Sequence, residues 1–348
     1  MGGAAILRNL LGLMPPDKLP PDIMRGFLQL CFSMVIPTHP GILIRVHCSA
    51  WTNWVLTINF QLIPCVGTST PLPGVFFEWA AVSLELSNPS DKPAAELLAI
   101  VARFVQFQVF VQSHAFIDGR PKTAEIIREA LEIDRLLAAW EGRTDGKWIV
   151  SEERQDEGYF PADAVLDNYF HVYSDVWAAR MWNHYRWSRI LVCQRLLEFL
   201  EKYPVSSAET ELLAVVIVSP TSPASPVSSA LPTAAVGTPS KPRSKRESIV
   251  NDTLRVSRDL LVSIPTHYRH PKLERHHREC LDKTKGGAGM GVAGVPTLLY
   301  QIRVAGCAPG IPNRCRVWAK NILETIWRDT GMLQAKREAE AFNKVVRW

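Results

Sequence analysis

An all-α fold, a multi-helix domain built around one long central helix, is what this sequence predicts, and three observations predict it. The stretch at 169–202, YFHVYSDVWAARMWNHYRWSRILVCQRLLEFLEK, contains no Gly or Pro and reads as one helix throughout. Further segments, at 94–116 and 123–141 above all, repeat apolar residues at helical spacing. No run combines alternating apolarity with turn residues well enough to call for a strand.

The central stretch carries a wide apolar face. At about 100° per residue, Tyr173, Trp177, Met181, Tyr185, Leu191, Val192, Leu196, Phe199 and Leu200 share one side, and Trp182, Cys193 and Leu197 widen it. Asp175, Asn183, Arg186, Gln194 and Glu198 take most of the remaining arc. So wide an apolar face belongs inside the domain. Trp182, Arg186 and Arg189 fall within two turns of one another.

Composition agrees with a globular chain: 348 residues, 47% hydrophobic and 21% charged, are enough for a sizeable core. The net charge of +5 is concentrated, because residues 241–285 hold 12 Lys/Arg against 6 Asp/Glu. The 7 cysteines form no CxxC pair and no short even framework, which excludes a zinc module and a secreted disulfide scaffold and favours a reducing compartment. The opening MGGAAILRNLLGLMPP has too short an apolar run for a signal peptide, and Ile6 departs from the myristoylation pattern.

In chain order, residues 1–90 are interrupted by prolines and show no sustained period, so they are expected to be an irregular N-terminal segment. Residues 46–77 hold no Asp, Glu, Lys or Arg, which opens a membrane-associated alternative, but polar residues and Pro64 break every window of spanning length. The first part of a helical domain covers 91–203. It contains a buried helix from Ala94 to before Gly119, a helix capped by Thr123 and stopped by Gly142, and the central helix. Asp163, Asp167 and Asp175 are expected around the start of that central helix, where acids suit its dipole. Residues 204–247, rich in Ser, Pro, Ala and Thr, read as a disordered linker. The second part, 248–348, carries a helix at 248–264, a basic His-rich stretch and three closing helices with Gly306 and Gly331 as stops.

Candidate chemical motifs lose their support one by one. Gly289, Gly291 and Gly294 match GxGxxG, but no strand precedes them and no acid follows at about 20 residues, so a turn is the better reading. His267, His270, His276, His277 and Cys280 fit no zinc spacing, and the interleaved arginines and lysine would repel a dication; a solvated basic surface is expected instead. Asp163, Asp167 and Asp252 loosely suggest a magnesium-diphosphate site in an all-α enzyme, yet a hydroxyl is wanted where Arg255 stands. GxSxG, HExxH and GxxxxGK[ST] are absent from the sequence. No catalytic residue, metal ligand set or cofactor is expected. Lys241, Arg243, Lys245 and Arg246 form a short cationic run of the kind an import receptor reads.

The motif DVWAARMWNHYRWSRILV in the central helix is similar to a segment of the helical regulatory region of fungal-specific transcription factors of the binuclear zinc cluster class. Other motifs agree in order. EIDRLLAAW ending at Trp140, followed by Trp148, resembles that family's Leu-Asp-x-x-Leu-x-x-Trp helix and second Trp, although the Leu-Pro before the second Trp is not present. SRDLLVSIP at 257–265 resembles its Ile-Pro element, VPTLLYQIRVAGCAPG its Ala-Gly turn, RCRVWAKNIL its Arg/Trp helix and TGMLQA its methionine segment.

The resemblance covers about residues 94–348 and implies regulation of transcription in the nucleus through regulatory proteins, the transcription machinery or a small-molecule effector. The family's six-cysteine DNA-binding cluster is not found within these residues, so sequence-specific DNA binding is not expected of them. An effector cavity beside the central helix would be lined by Trp177, Trp182, Tyr185, Arg186 and Arg189. Aromatic stripes are usually core, and packing with cation–π contacts is the competing reading of all five.

Overall fold

The computed structural model describes residues 87–114, 123–155, 163–202, 245–268 and 295–343, together with isolated positions between Leu62 and Leu84 and a few short pieces elsewhere. Most of it is helical. Helix α1 (Lys92–His114) is joined to α2 (Thr123–Glu141) through a two-residue hairpin, β1 (Phe116–Ile117) with β2 (Arg120–Pro121). A second small hairpin pairs β3 (Ser151–Arg154) with β4 (Tyr169–Val172), and α3 (Val176–Lys202) follows it. The rest consists of α4 (Lys245–Val262), the short α5 (Ile264–His267), α6 (Val295–Gly306), α7 (Asn313–Thr330) and α8 (Leu333–Ala341).

The predicted central helix is α3, packed against α1, α2, α4, α5 and α6. Its start differs from the expected one, because residues 169–172 are a strand. Asp167 and Asn168 both adopt the left-handed backbone, at φ 53° and 63°, and the amide of Tyr169 donates to the carbonyl of Leu166 at 3.1 Å. That is the tight two-residue turn that Asp and Asn tolerate best among residues with a side chain. Tyr169–Val172 then pairs with residues 151–154, Glu152 facing His171 and Glu153 facing Phe170. Asp163 and Asp167 therefore precede a strand. Asp175 alone caps the helix, its carboxylate accepting from the amide of Ala178 at 2.7 Å.

Helical spacing accounts for the other elements. Helix α2 occupies the predicted Thr123–Glu141, with Glu125 in its first turn and Gly142 just beyond its end. In α7 the buried side chains are Cys315, Ala319, Ile322, Leu323 and Ile326, a single stripe, and Gly331 closes the helix at φ 70°. Gly306 ends α6 where a Cβ would lie 2.6 Å from that of Ala319 and 2.8 Å from the Phe342 ring, so the close approach of α6 to α7 requires glycine.

Three further expectations meet the structure here. Leu62, Cys65 and Val66, in the segment read as irregular, are helical and buried, and Leu72 and Ala80 are buried beside them in the core. Helix α4 begins at Lys245, so the last three residues assigned to the linker are helical; residues 203–244, with Lys241 and Arg243, lie outside the described residues. Most of 46–77 lies outside them too, as do the glycines at 289–294. Lys92–Gln112 is long and apolar enough to cross a membrane by length and composition, and 67% of that window is buried against the rest of the protein.

Candidate functional site

Two polar networks are buried along α3, and they divide the residues that the sequence grouped. The first joins α2, α3 and α4. Arg189 donates from Nε to Asp134 at 2.9 Å and from Nη1 to Glu141 at 3.1 Å and to the Tyr185 hydroxyl at 2.7 Å. Tyr185 in turn donates to Glu141 at 2.6 Å, and Arg255 grips both oxygens of Glu141 at 2.8 Å. Burial alone would raise the Glu141 carboxyl, but the Arg255 fork, the Tyr185 hydroxyl and Arg189 outweigh it and hold it below its ordinary value. Against this network lies an aromatic cluster, in which Trp182 meets Trp140 edge-on at 5.1 Å and Tyr185 at 5.5 Å. The indole of Trp182 donates to the carbonyl of Trp148 at 2.8 Å, and those of Trp140 and Trp148 donate to the carbonyls of Pro93 and Ser90.

The second network joins β4, α3 and α5. Arg186, buried, donates to the Tyr173 hydroxyl at 2.6 Å and to Oδ1 of Asn183 at 3.0 Å, and its Nη2 lies 3.1 Å from Nδ1 of His171. Its guanidinium stands 5.4 Å from the centre of the Trp182 ring, so Trp182 separates the two networks and touches both. Ser263 also donates to Oδ1 of Asn183 at 3.0 Å, which turns the amide Nδ2 toward Nε2 of His267 at 2.8 Å. Thr266 completes the joint by donating to the carbonyl of His171 at 2.5 Å.

Tautomers follow from these partners. Arginine has no acceptor, so Nδ1 of His171 accepts and its proton sits on Nε2, facing Glu152 at 3.6 Å. Nε2 of His267 accepts from Asn183, placing that proton on Nδ1. Nδ1 of His184 accepts from the Trp187 indole at 3.0 Å, placing its proton on Nε2. All three rings are buried and neutral; burial drives His184 and His267 down to about 3, with Arg180 adding to both.

Glu152, His171 and Asp259 lie close enough together to suggest a metal ligand set, their candidate atoms all within 4.8 Å. The protonation pattern argues for an ion-pair network instead. Nε2 of His171 carries a proton where a metal needs a lone pair, and Arg258 holds Glu152 at 2.6 and 3.3 Å. His171 and then Arg258 keep the Glu152 carboxyl at about 2, against the upward push of burial.

Of the five predicted cavity residues, Tyr185 and Arg189 therefore lie in the first network, Arg186 in the second and Trp182 between them, while Trp177 is half-buried and packed against the core. The polar atoms of Trp182, Tyr185, Arg186 and Arg189 are engaged by protein partners. His267 and His270 are 3% exposed each, which corrects their expected place on a solvated basic surface: His267 is turned inward on α5 and His270 is buried beyond its end, while His276, His277 and Cys280 lie outside the described residues. Arg246, exposed, pairs with Glu201 at the end of α3. The acids of the hypothetical magnesium site face different partners: Asp163 is 3.9 Å from His270, Asp167 is 3.1 Å from Arg314, and Asp252 is 4.0 Å from Arg189.

Asn183, His171, Ser263 and Thr266 were not among the predicted site residues. The one signal for them in the sequence was the Ser-Ile-Pro element, whose serine reaches Asn183. No family model matches the chain, and comparison with curated proteins and with solved structures gives no significant match.

Proposed function

We propose that the chain is a helical regulatory module of transcription of the fungal zinc-cluster type, acting in the nucleus through a regulatory protein, the transcription machinery or a small-molecule effector. One observation carries this reading. The segments bearing the resemblance are far apart in sequence, yet Trp140, Trp148 and Ser263 all close on the motif helix, through the 5.1 Å Trp140–Trp182 contact and the bonds Trp182 to Trp148 and Ser263 to Asn183. Shared motifs that pack against one another are what a family scaffold would preserve. Their polar atoms pair mainly within that scaffold, which suits a module that binds and transmits.

The test is to fuse the chain to a heterologous DNA-binding domain and a fluorescent tag and to read a reporter gene. Altered reporter output from a nuclear fusion is the expected result. A nuclear fusion that leaves the reporter at the level of the DNA-binding domain alone overturns the reading.

A further inference from the structure

Arg180 stands apart from the other arginines of the bundle. Arg186, Arg189, Arg195, Arg255, Arg258 and Arg303 each meet an oxygen partner within the protein. Arg180 lies on the inner side of α3, its Nε is buried without a hydrogen-bond partner, and no carboxylate among the described residues lies within ion-pair distance of it. A guanidinium keeps its charge, so a buried Nε left without a partner is costly even on a side chain that is only partly covered. Burial accordingly pulls Arg180 below its ordinary value.

Its neighbours are donors as well. Arg180, Asn183, His184 and Trp187 recur at i, i+3, i+4 and i+7 and form one stripe of α3. That stripe faces α5 and α6, since Asn183 bonds His267 and Trp187 meets Tyr300 edge-on at 6.3 Å. Nδ1 of His184 and Nε2 of His267 are already used as acceptors, so each ring offers only an N–H. Among the described residues neither N–H has an acceptor. Three N–H donors, one on a side chain of fixed charge, gather on this face with no acceptor for them among the described residues.

We propose that Arg180, His184 and His267 form a receptor for the carboxylate of a small organic acid, between α3 and α5. One fixed positive charge beside two neutral donors matches a monoanion, and the planar fork of a guanidinium matches the two oxygens of a carboxylate. Inorganic phosphate, largely a dianion at neutral pH, would call for further cationic charge. The site itself is independent of the regulatory reading; only its use as an effector site rests on that reading.

The test uses the full chain with acetate, propionate and benzoate as probes, against chloride at equal ionic strength and against inorganic phosphate, read by thermal shift and calorimetry. At least one carboxylate is expected to raise Tm in a saturable way, with phosphate and chloride ineffective. Arg180→Met should remove that shift, weakening the carboxylate by about tenfold or more, the loss of one charged hydrogen-bonding partner, while raising the ligand-free Tm. Arg180→Lys, which keeps the charge and loses the fork, should weaken binding less. The proposal is overturned if no carboxylate shifts the wild type, if phosphate binds better, or if the shift survives in Arg180→Met; should that variant fail to fold, a shift undiminished in Arg180→Lys and His184→Phe overturns it equally. Carboxylate binding with an unresponsive reporter would leave the site standing and sink the regulatory reading alone.

Discussion

Glu141 shows how one carboxylate ties three helices together. It stands at the C-terminal end of α2, accepts from Tyr185 and Arg189 of α3, and is gripped by Arg255 of α4. Replacing it with Gln keeps the shape but leaves Arg189, whose side chain is only 6% exposed, short of one counter-charge. Glu141→Gln is therefore expected to lower stability by about 3 kcal/mol, at the low end for a buried pair because Arg255 keeps access to water. Urea denaturation checks this, and a midpoint unchanged from wild type would show that the network is dispensable. The wheel of 169–202 grouped Tyr185 with Trp182, and sequence spacing put Trp182, Arg186 and Arg189 within two turns. But the wheel set Asn183 and Arg186 on the polar arc, whereas both are buried. It could not show that Arg186 and Arg189 face different networks, because that depends on which element each side chain meets.

At the scale of elements, the hairpin before α3 carries the clearest lesson. A Gly- and Pro-free run looked helical from Tyr169 onward, yet Leu166-Asp-Asn-Tyr169 forms a two-residue turn and residues 169–172 pair with 151–154. The dipeptide Asp167-Asn168 was the available signal, masked by an expectation that acids there serve a helix start. Asn168 sits at φ 63°, where a β-branched side chain is strained. Asn168→Val should cost about 1–2 kcal/mol, whereas Asn168→Gly should stay within about 0.5 kcal/mol of wild type. Thermal melts of the two variants decide it; equal melts would mean that the turn does not hold the strand in place. The amphipathic helices α2 and α7, by contrast, were legible because one apolar stripe and a glycine stop suffice to define them.

For the whole molecule, the buried histidines set the response to acid. His184 and His267 are held at about 3 by burial, next to the cations Arg180 and Arg186, and His171 is lowered for the same reason. Below the ordinary histidine value the unfolded chain takes up protons that the folded chain refuses. Stability is therefore fully present above about pH 6.5 and falls as pH drops, by about 1.4 kcal/mol per pH unit for each such histidine. Glu152, held at about 2, adds a loss in the same direction below the usual carboxylate range. Urea midpoints at pH 7.5, 6 and 5 should decline steeply; a flat profile would mean that these rings protonate without cost.

By itself the sequence determined the all-α class, the central place of the motif helix and the bounds of α2, because helical periodicity, caps and apolar width are local properties of a chain. The tertiary structure decided what locality cannot carry. It paired residues 151–154 with 169–172, turned His267 inward on a four-residue helix, buried His270 beyond it, and drew Leu62, Cys65 and Val66 into the core. It also left Arg180, on the motif helix itself, without a counter-charge among the described residues, since whether an arginine is paired depends on what other elements bring to it.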